Sequence, residues 1–275
     1  MKILLTGPKG NLGQALQQHG LKHQWIGIGR DDWPRLSALM RPAEVIIHAA
    51  SDLVTPPHQA PRSVIESNLA STVWLLEELA KRPPQRFVFI SSGAVYGRSQ
   101  ITREEIEPAP ISINGITKFL NEELIREFCS HHRIDYQIFR LFNTYGGQDR
   151  FSIFSHLNRS LETKRPFTMN NQGLSQRDFV HVDDIAQVIL ALLGKPIRYP
   201  IMNIGSGETT RIRDIVTEFK KKNPDLEIVH SERPETEYSR ADITKLREIL
   251  ADYEFRQVLD FIRQAPPTKR RRKTV

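Results

Sequence analysis

A glycine-rich turn near the N-terminus, between an apolar run and an amphipathic segment, constrains the fold most strongly. The run Lys2–Thr6 reads as a buried strand, and three glycines follow it at intervals of three residues. In such a strand–turn–helix unit the glycines allow a tight turn, close approach to a pyrophosphate and close packing of the helix. The pattern predicts a dinucleotide site, and the alternative is a glycine-rich turn without a ligand. The residues predicted to meet the phosphates are Gly7, Gly10, Asn11, Leu12 and Gly13.

The end of the second predicted strand, Gln24–Ile28, bears on the type of dinucleotide. Arg30 and Asp31 follow it closely. An acidic residue there holds a ribose 2′-hydroxyl, whereas an arginine can meet a 2′-phosphate. Because Arg30 comes first, the sequence slightly favours NADP over NAD as the cofactor. Alternatively, both side chains are solvated loop charges.

Short apolar runs alternate with helical patterns along the chain, which is typical of parallel βαβ units. The predicted strands are Lys2–Thr6, Gln24–Ile28, Glu44–His48, Arg86–Ser91, Asp135–Leu141, Pro200–Ile204 and Leu226–Val229. The predicted helices are Leu12–His19, Pro61–Lys81, Asn114–His132, Phe151–Thr163, Asp183–Leu193, Ile212–Lys222 and one or two between Asp242 and Arg263. This order predicts an α/β fold of the Rossmann type, a doubly wound parallel sheet with a smaller, interleaved C-terminal substrate lobe.

The alternation also predicts how the chain is divided. Residues 1–150 form the dinucleotide-binding domain, to which residues 178–204 return, and residues 151–177 and 205–263 form the substrate lobe. Residues 264–275 are predicted to be a disordered basic tail, since five of the last seven residues are cationic. Without those five, 34 basic residues face 32 acidic ones. A nucleic-acid partner is therefore not expected, although binding of nucleic acid, acidic lipid or a protein by the tail stays an alternative.

Composition sets the remaining limits. Hydrophobic residues make up 39% and charged residues 26% of the chain, as in ordinary globular proteins. No apolar stretch approaches the roughly 18 residues that a membrane span needs, and no signal peptide is evident, so a cytoplasmic location is expected. The single cysteine, Cys129, is predicted to be a buried apolar side chain rather than a reactive thiol. No metal site is predicted, because no Cys/His ligand set is present.

Further motifs follow the glycine turn in order. They are Val45–Ala50, Asn68 with Thr72, Phe89–Gly97, Arg140–Gly146, Arg177–Asp184 and Asn203–Glu208. In this order the chain resembles the extended short-chain dehydrogenase/reductase family, the NAD(P)-dependent epimerases and dehydratases of nucleotide sugars. The resemblance runs from Met1 to about Tyr253 and implies a nucleotide-sugar substrate. It also implies a possible homodimer formed through a helix pair, here Ser63–Lys81 and Asn114–His132.

The resemblance implies roles for individual residues. Ser92 would hydrogen-bond the reacting oxygen of the sugar, and Lys118 would hold the nicotinamide ribose. The residues implied to border the cofactor are Ala49, Ala50 and Lys118. The residues implied to contact the substrate are Ser92, Asn143, Arg177 and, more weakly, Arg233. The alternatives are a strand-end serine, a surface lysine and an Arg177 that forms a structural salt bridge.

The resemblance breaks at the residue that transfers a proton in the family. Members carry Tyr, three residues, then Lys, and in the segment Pro110–Lys118 the tyrosine position holds Asn114. An amide cannot transfer a proton, and loss of a general acid–base group typically lowers rates by about 10²–10⁴-fold. Hydride transfer needs only geometry and the cofactor, so it is not abolished in principle. Tyr96, His181 or a water molecule could replace the tyrosine, and spacing favours none of them.

The sequence is therefore compatible with two functions. The first is an epimerase or reductase of a nucleotide sugar that lacks the usual tyrosine. The second is a catalytically silent protein that binds the cofactor or the nucleotide sugar. Dehydration is disfavoured, because Gly93 and Ala94 occupy the positions where dehydratases of the family carry an Asp-Glu pair.

Overall fold

The computed structural model describes residues 1–39, 43–52, 61–100, 102–233, 238–266 and 268. Its strands are β1 (Lys2–Thr6), β2 (Gln24–Ile28), β3 (Val45–His48), β4 (Arg86–Ser92), β5 (Asp135–Leu141), β6 (Asn143–Tyr145), β7 (Phe167–Asn170), β8 (Gln176–Arg177), β9 (Phe179–His181), β10 (Ile201–Ile204), β11 (Thr210–Arg211), β12 (Ile228–Ser231) and β13 (Tyr238–Ser239). Its α-helices are α1 (Asn11–His19), α2 (Leu36–Leu39), α3 (Pro61–Ile65), α4 (Ser71–Lys81), α5 (Ile113–His132), α6 (Ile153–Thr163), α7 (Val182–Leu193), α8 (Ile212–Lys222), α9 (Thr244–Ile249) and α10 (Val258–Gln264).

Six parallel strands form the central sheet in the order β10-β5-β4-β3-β1-β2. All four residues of β3 are buried, as are the last four of β1. Parallel strands that are covered on both faces read as continuous apolar runs, which is why these strands could be recognised in the sequence. The sheet confirms the predicted α/β fold. Its order reverses at β1 and β3, the type of position where open α/β sheets bind ligands.

Each face of the sheet has its own hydrophobic core. On one face α1 and α7 pack together over Ile3, Leu5 and Ile47. On the other face α4 and α5 lie over Leu4 and Phe87. Cys129 belongs to this second core and is fully buried, which confirms the predicted apolar role. Burial raises the pKa of its thiol to about 12, so the thiolate is disfavoured.

The C-terminal part of the chain builds a smaller lobe between its contributions to the sheet. Small sheets form from β7 with β12 and from β11, β8 and β13, while β6 pairs with β9. The lobe has a separate core in which α6, α8 and α10 meet, and its members include Tyr145, Phe154, Leu157, Phe219 and Ile262. Between these segments, α7 and β10 return to the main sheet.

Some predicted boundaries differ from the structure. The predicted strand Leu226–Val229 lies two residues later, as β12. The predicted helix Pro61–Lys81 is broken into α3, the π-helical segment Glu66–Ala70 and α4. Two short helices occupy the stretch 242–263, and they are α9 and α10.

The described part of the C-terminal end reaches beyond residue 263. Gln264 is the last residue of α10, and the Thr268 N–H donates to Asn223 Oδ1 at 3.0 Å. The cationic residues 269–273, on which the prediction of a disordered basic tail rested, lie outside the described residues. Among the helices that are described, none is long and apolar enough to cross a bilayer.

Candidate active site

The glycine turn closes tightly between β1 and α1. Gly7 has a φ of +73°, and a Cβ atom on it would lie 3.1 Å from the Cα of Ala50. A Cβ on Gly13 would lie only 2.2 Å from the Gly7 carbonyl oxygen. Gly10 caps α1, and its N–H donates to the Gly7 carbonyl at 3.0 Å. The turn therefore forms a bare backbone cradle at the N-terminus of a helix, which suits a pyrophosphate.

Asn11 and Leu12 open α1, so their N–H groups belong to the first turn of the helix, which has no intrahelical acceptors. The Asn11 side chain is used elsewhere. Its Nδ2 donates to the Gly146 carbonyl at 3.0 Å, and its Oδ1 accepts from the Gln148 N–H at 2.7 Å. Leu12 packs against the first core. Both residues can therefore contribute backbone N–H groups to a phosphate, while their side chains hold the turn in place.

Ala49 and Ala50 are held beside the turn by a buried polar chain. Both of their N–H groups donate to Thr6 Oγ1, at 3.1 and 3.0 Å. Because two donors occupy its lone pairs, the Thr6 hydroxyl donates its own hydrogen to His48 Nδ1, 2.7 Å away. His48 Nε2 then donates to Thr72 Oγ1 at 3.0 Å, which assigns the tautomer. Burial lowers the pKa of His48 to about 3, so the ring is neutral.

Arg30 and Asp31 lie at the rim, directly after β2. The Arg30 side chain is 80% exposed, and its guanidinium is 3.3 Å from the Asp52 carboxylate. Asp31 is also exposed. The next residue, Asp32, accepts from the Gly29 N–H at 2.8 Å, so its carboxylate is engaged by the backbone. An exposed arginine and an exposed carboxylate thus both follow the end of β2, the position that the sequence predicts to meet the ribose of the dinucleotide.

A cavity of about 240 Å³ opens where β4 and β5 end. Ser92, Asn143 and Arg177, which the sequence analysis assigned to the substrate, all line it. Ser92 Oγ accepts from the Ala94 N–H at 3.1 Å, so its hydroxyl hydrogen stays available to a bound oxygen. Asn143 Nδ2 donates to the Asp178 carbonyl at 2.8 Å, which fixes the amide. The other described lining residues are Gly93, Ala94, Tyr96, Gly97, Ser99, Thr102, Leu141, Phe142, Tyr238 and Ser239.

Lys118 lies in α5 and is buried against the end of β4. Its Nζ donates to the Ile90 carbonyl at 2.7 Å and lies 4.9 Å from the centre of the Phe89 ring. Burial lowers the pKa of Lys118 to about 8, and the nearby Glu122 carboxylate opposes this shift. Lys118 is therefore not a surface side chain.

Asn114 lies in the first turn of α5, one helical turn before Lys118. Ser112 caps this helix, since its Oγ accepts from the Gly115 N–H at 3.1 Å. The Asn114 Oδ1 atom is buried and has no hydrogen-bond partner in the described part of the chain. The amide is thus an acceptor that a bound molecule could satisfy.

The two side chains considered as substitutes for a tyrosine at position 114 are both engaged. The Tyr96 hydroxyl donates to Asn203 Oδ1 at 2.9 Å and accepts from Arg140 at 3.0 Å. Burial raises the pKa of Tyr96 to about 12. His181 Nδ1 accepts from the Asp183 N–H at 3.2 Å, and burial lowers the pKa of this ring. His181 is not among the described residues that line the cavity.

Arg233 was predicted to contact the substrate, and Tyr238 was not among the predicted residues. Arg233 is exposed, and it is not among the residues described as lining the cavity. Tyr238 does line it, because β13 pairs in parallel with β8 and brings Tyr238 opposite Gln176. No spacing in the sequence links Tyr238 to Ser92, since the two come from distant strands. Ser99 and Thr102, which follow the end of β4 and also line the cavity, were not predicted either.

Comparisons with known proteins agree with this geometry. A sequence model of the NAD dependent epimerase/dehydratase family matches residues 3–205. The chain is 27% identical to the uncharacterized UDP-glucose epimerase YtcB of Bacillus subtilis (strain 168), over 91% of this chain and 92% of the relative. It is 28% identical to the UDP-glucuronate 4-epimerase of Thermodesulfobacterium geofontis (strain OPF15), over 74% and 66%.

A solved structure is similar over nearly the whole length of both chains. The UDP-glucuronic acid 4-epimerase from Bacillus cereus, in complex with UDP-glucuronic acid and NAD, superposes with a TM-score of 0.85 at 25% identity. The alignment covers 96% of this chain and 97% of that protein. The order of motifs, the parallel sheet and the glycine cradle all agree with the match over residues 3–205. The chain belongs to the NAD dependent epimerase/dehydratase family.

Proposed function

We propose that the protein is an epimerase or reductase of a nucleotide sugar. The observation that carries this proposal is the glycine cradle at the β1/β3 switch point together with the cavity at the ends of β4 and β5. A nicotinamide dinucleotide bound in the cradle supplies or accepts a hydride. The names of the relatives, UDP-glucose epimerase and UDP-glucuronate 4-epimerase, support a UDP-sugar as substrate.

Each side chain in the proposed site has a separate task. The Ser92 hydroxyl donates to the reacting oxygen of the sugar, and its position at the cavity wall supports this role. Lys118 binds the nicotinamide ribose, for which its ammonium group is buried close to the end of β4. Asn143 and Arg177 bind the diphosphate, with Arg233 as an additional contact. Asn114 occupies the place of the family's tyrosine and offers its unpartnered Oδ1 as an acceptor.

The rim after β2 supports NADP as the preferred dinucleotide. The Arg30 guanidinium is largely exposed, and Gly29 stands directly after β2 without a carboxylate. A guanidinium can bind a 2′-phosphate, which NAD lacks. We expect Arg30→Ala to weaken NADP binding at least tenfold in calorimetry and to leave NAD binding within about twofold. If Arg30→Ala weakened the binding of NADP and of NAD equally, the proposed preference for NADP would be contradicted.

The function is tested by turnover. Purified protein is incubated with NAD, NADP or their reduced forms and with a panel of nucleotide hexoses and nucleotide 4-ketohexoses. We expect conversion of at least one sugar, and we expect Ser92→Ala to lower its rate by about 10²-fold or more, because the hydroxyl donor is lost. Ser130→Ala, an exposed serine near the end of α5, is the matched control and keeps the wild-type rate.

Two results would reject the function. Binding of a dinucleotide and a nucleotide sugar without conversion of any sugar in the panel would favour the silent binding protein. Absence of heat and of a thermal shift with all four nicotinamide forms would remove the cofactor site itself. The oxidation state of any dinucleotide that co-purifies separates the two activities, since tightly held oxidised cofactor fits an epimerase and exchanging reduced cofactor fits a reductase.

We also propose a homodimer formed by α4 and α5. These helices are in contact and expose large apolar side chains on the outside of the second core. Ile116, Leu120 and Leu124 are 39–44% exposed and lie four residues apart, so they share one face of α5. Trp74 on α4 is 50% exposed. A two-fold axis would bring the same apolar surface of two copies together.

A further inference from the structure

The proposed reaction needs a group that exchanges a proton with the sugar oxygen, and this inference rests on that proposed function. When hydride is added to a carbonyl carbon, its oxygen must receive a proton. Asn114 cannot supply this proton, because a side-chain amide is not an acid–base group at the pH at which proteins work. Tyr96 and His181 are held by other partners. The remaining candidates for the acid are the other side chains that line the cavity.

Among the described residues that line the cavity, those with a phenol or a charged side chain are Tyr96, Arg177 and Tyr238. Arg177 cannot serve, because a guanidinium does not give up its proton in proteins. The Tyr96 hydroxyl is buried, and it both donates and accepts a hydrogen bond within the protein. The hydroxyl groups of serine and threonine are too weakly acidic to act alone. Tyr238 is the remaining candidate among the described residues that line the cavity.

We propose that the phenol of Tyr238 is the acid–base group for the sugar oxygen, in place of the tyrosine that Asn114 replaces. Tyr238 is half-buried and lines the same cavity as Ser92 and Asn143. Within the described part of the chain, its hydroxyl makes no hydrogen bond. An unengaged phenol that lines the same cavity as the implied sugar-binding serine is available to a bound substrate.

The position of Tyr238 is fixed by the lobe. β13 pairs in parallel with β8, where Tyr238 lies opposite Gln176 and Ser239 opposite Arg177. On its far side, Ala241 donates its N–H to the buried carboxylate of Asp178 at 3.0 Å. The phenol is therefore carried on backbone that is tied to the strand bearing Arg177. A proton-transfer group needs this kind of support, because its rate depends on its position relative to the substrate.

The proposed step is balanced in both directions. In reduction, the carbonyl carbon receives a hydride from the reduced dinucleotide, and its oxygen receives the phenolic proton of Tyr238. The resulting phenolate recovers a proton from water, so a ketone, a reduced dinucleotide and one proton give an alcohol and an oxidised dinucleotide. In oxidation, the phenolate accepts the hydroxyl proton while the same carbon gives up its hydride.

The test is Tyr238→Phe, which keeps the ring and removes the hydroxyl. We expect the single-turnover rate to fall by about 10²–10⁴-fold, the usual loss for a general acid–base group. The dissociation constants of dinucleotide and nucleotide sugar, measured by calorimetry, stay within about twofold. Tyr199→Phe is the matched control, because this hydroxyl bonds Glu248 outside the cavity, and it keeps the wild-type rate.

Two further readouts separate proton transfer from a structural role. The first is the pH–rate profile in the reducing direction: we expect the wild type to show an alkaline limb that is absent from the residual activity of the Phe variant. In ultraviolet difference spectra, a phenolate band that responds to bound nucleotide sugar is present in the wild type and missing in the variant.

Three outcomes are decisive and distinguishable. A full rate in Tyr238→Phe, or a raised KM with unchanged kcat, overturns the inference and makes Tyr238 a binding residue or a bystander. A wild type that converts no nucleotide sugar rejects the proposed function instead. The inference is also overturned if the rate and the substrate affinity of the variant both fall while its alkaline limb stays intact, since the loss of rate then comes from weaker binding.

Discussion

Gly13 shows how little space the dinucleotide cradle leaves for a side chain. A methyl group there would overlap the Gly7 carbonyl oxygen, 2.2 Å away, and both atoms belong to the backbone. We expect Gly13→Ala to lower the free energy of unfolding by about 1–3 kcal/mol, the usual cost of overpacking, and to abolish dinucleotide binding. Denaturant unfolding and calorimetry measure the two effects. Gly194→Ala is the control, because the nearest atom to its new methyl group is 3.7 Å away.

Glu122 and Arg140 form a fully buried ion pair behind the proposed site. Arg140 Nη2 donates to Glu122 Oε2 at 2.6 Å, the Ser91 hydroxyl donates to the same carboxylate, and both charged side chains are at most 3% exposed. The pair links β5 to the helix that carries Lys118, and the Ser91 hydroxyl ties the end of β4 to the same carboxylate. The pair therefore positions Lys118 and the end of β4 without lining the cavity.

Removing the charge of Glu122 isolates the guanidinium of Arg140 in the core. We expect Glu122→Gln to destabilise the fold by about 3–5 kcal/mol in denaturant unfolding, because an uncompensated buried charge is left behind. Glu123→Gln is the control on the next residue, where the partner Arg126 is 45% exposed. That change should cost less than about 1 kcal/mol. If both variants lost a similar amount of unfolding free energy, the buried pair would contribute no more to stability than the exposed one.

Residues whose role depends on local sequence could be predicted, and residues brought together by the fold could not. The glycine turn was recognisable because its spacing is set within one strand–turn–helix unit, and Cys129 because it sits among apolar helix positions. Tyr238 reaches the cavity only through the pairing of β13 with β8. Nothing in the sequence around Tyr238 indicates that pairing.

At the scale of elements, the strands of the main sheet were predictable and the short strands of the lobe were not. β1 and β3 are continuous apolar runs because helices cover both faces. β8, β11 and β13 have two residues each, too few for any periodicity to be read. The π-helical segment Glu66–Ala70 also escaped prediction, because a distant side chain supports it. Asn121 Nδ2 donates to the Asn68 carbonyl at 2.7 Å.

The exposed face of α5 gives a prediction about assembly. We expect Leu120→Glu to convert the proposed dimer into a monomer, because a carboxylate would be buried in an apolar contact between two copies. Light scattering coupled to size exclusion measures the change. Glu127→Gln, on an exposed position near the end of the same helix, is the control and keeps the wild-type mass. A wild-type protein that is monomeric at micromolar concentration would remove the dimer proposal.

At the scale of the whole molecule, His48 makes stability depend on pH. Its pKa is about 3 in the folded protein, against 6.5 for an ordinary histidine, so between these values the unfolded chain binds one more proton. The free energy of unfolding therefore decreases as the pH falls from 6.5 towards 3, by about 1.4 kcal/mol per pH unit from this residue.

The variant His48→Asn isolates that contribution. It lacks the titrating ring, so its unfolding free energy should fall less steeply between pH 6.5 and pH 4 than that of the wild type. Thermal or urea unfolding across the range measures the two slopes. The variant is also expected to be less stable at pH 7, because the bonds to Thr6 and Thr72 are lost. Parallel slopes would mean that the ring is already charged in the folded protein.

The Asn11 amide links the two halves of the molecule in a way that bears on the order of events. The Asn11 side chain, in the first turn of α1, hydrogen-bonds the backbone of Gly146 and Gln148, just before the chain enters the lobe. A dinucleotide that immobilises α1 thereby immobilises the approach to the lobe, and slower amide hydrogen exchange at residues 146–152 should reveal it. The substrate lobe is then held in place only after the dinucleotide has bound. We therefore expect compulsory-order kinetics in which the dinucleotide binds before the nucleotide sugar.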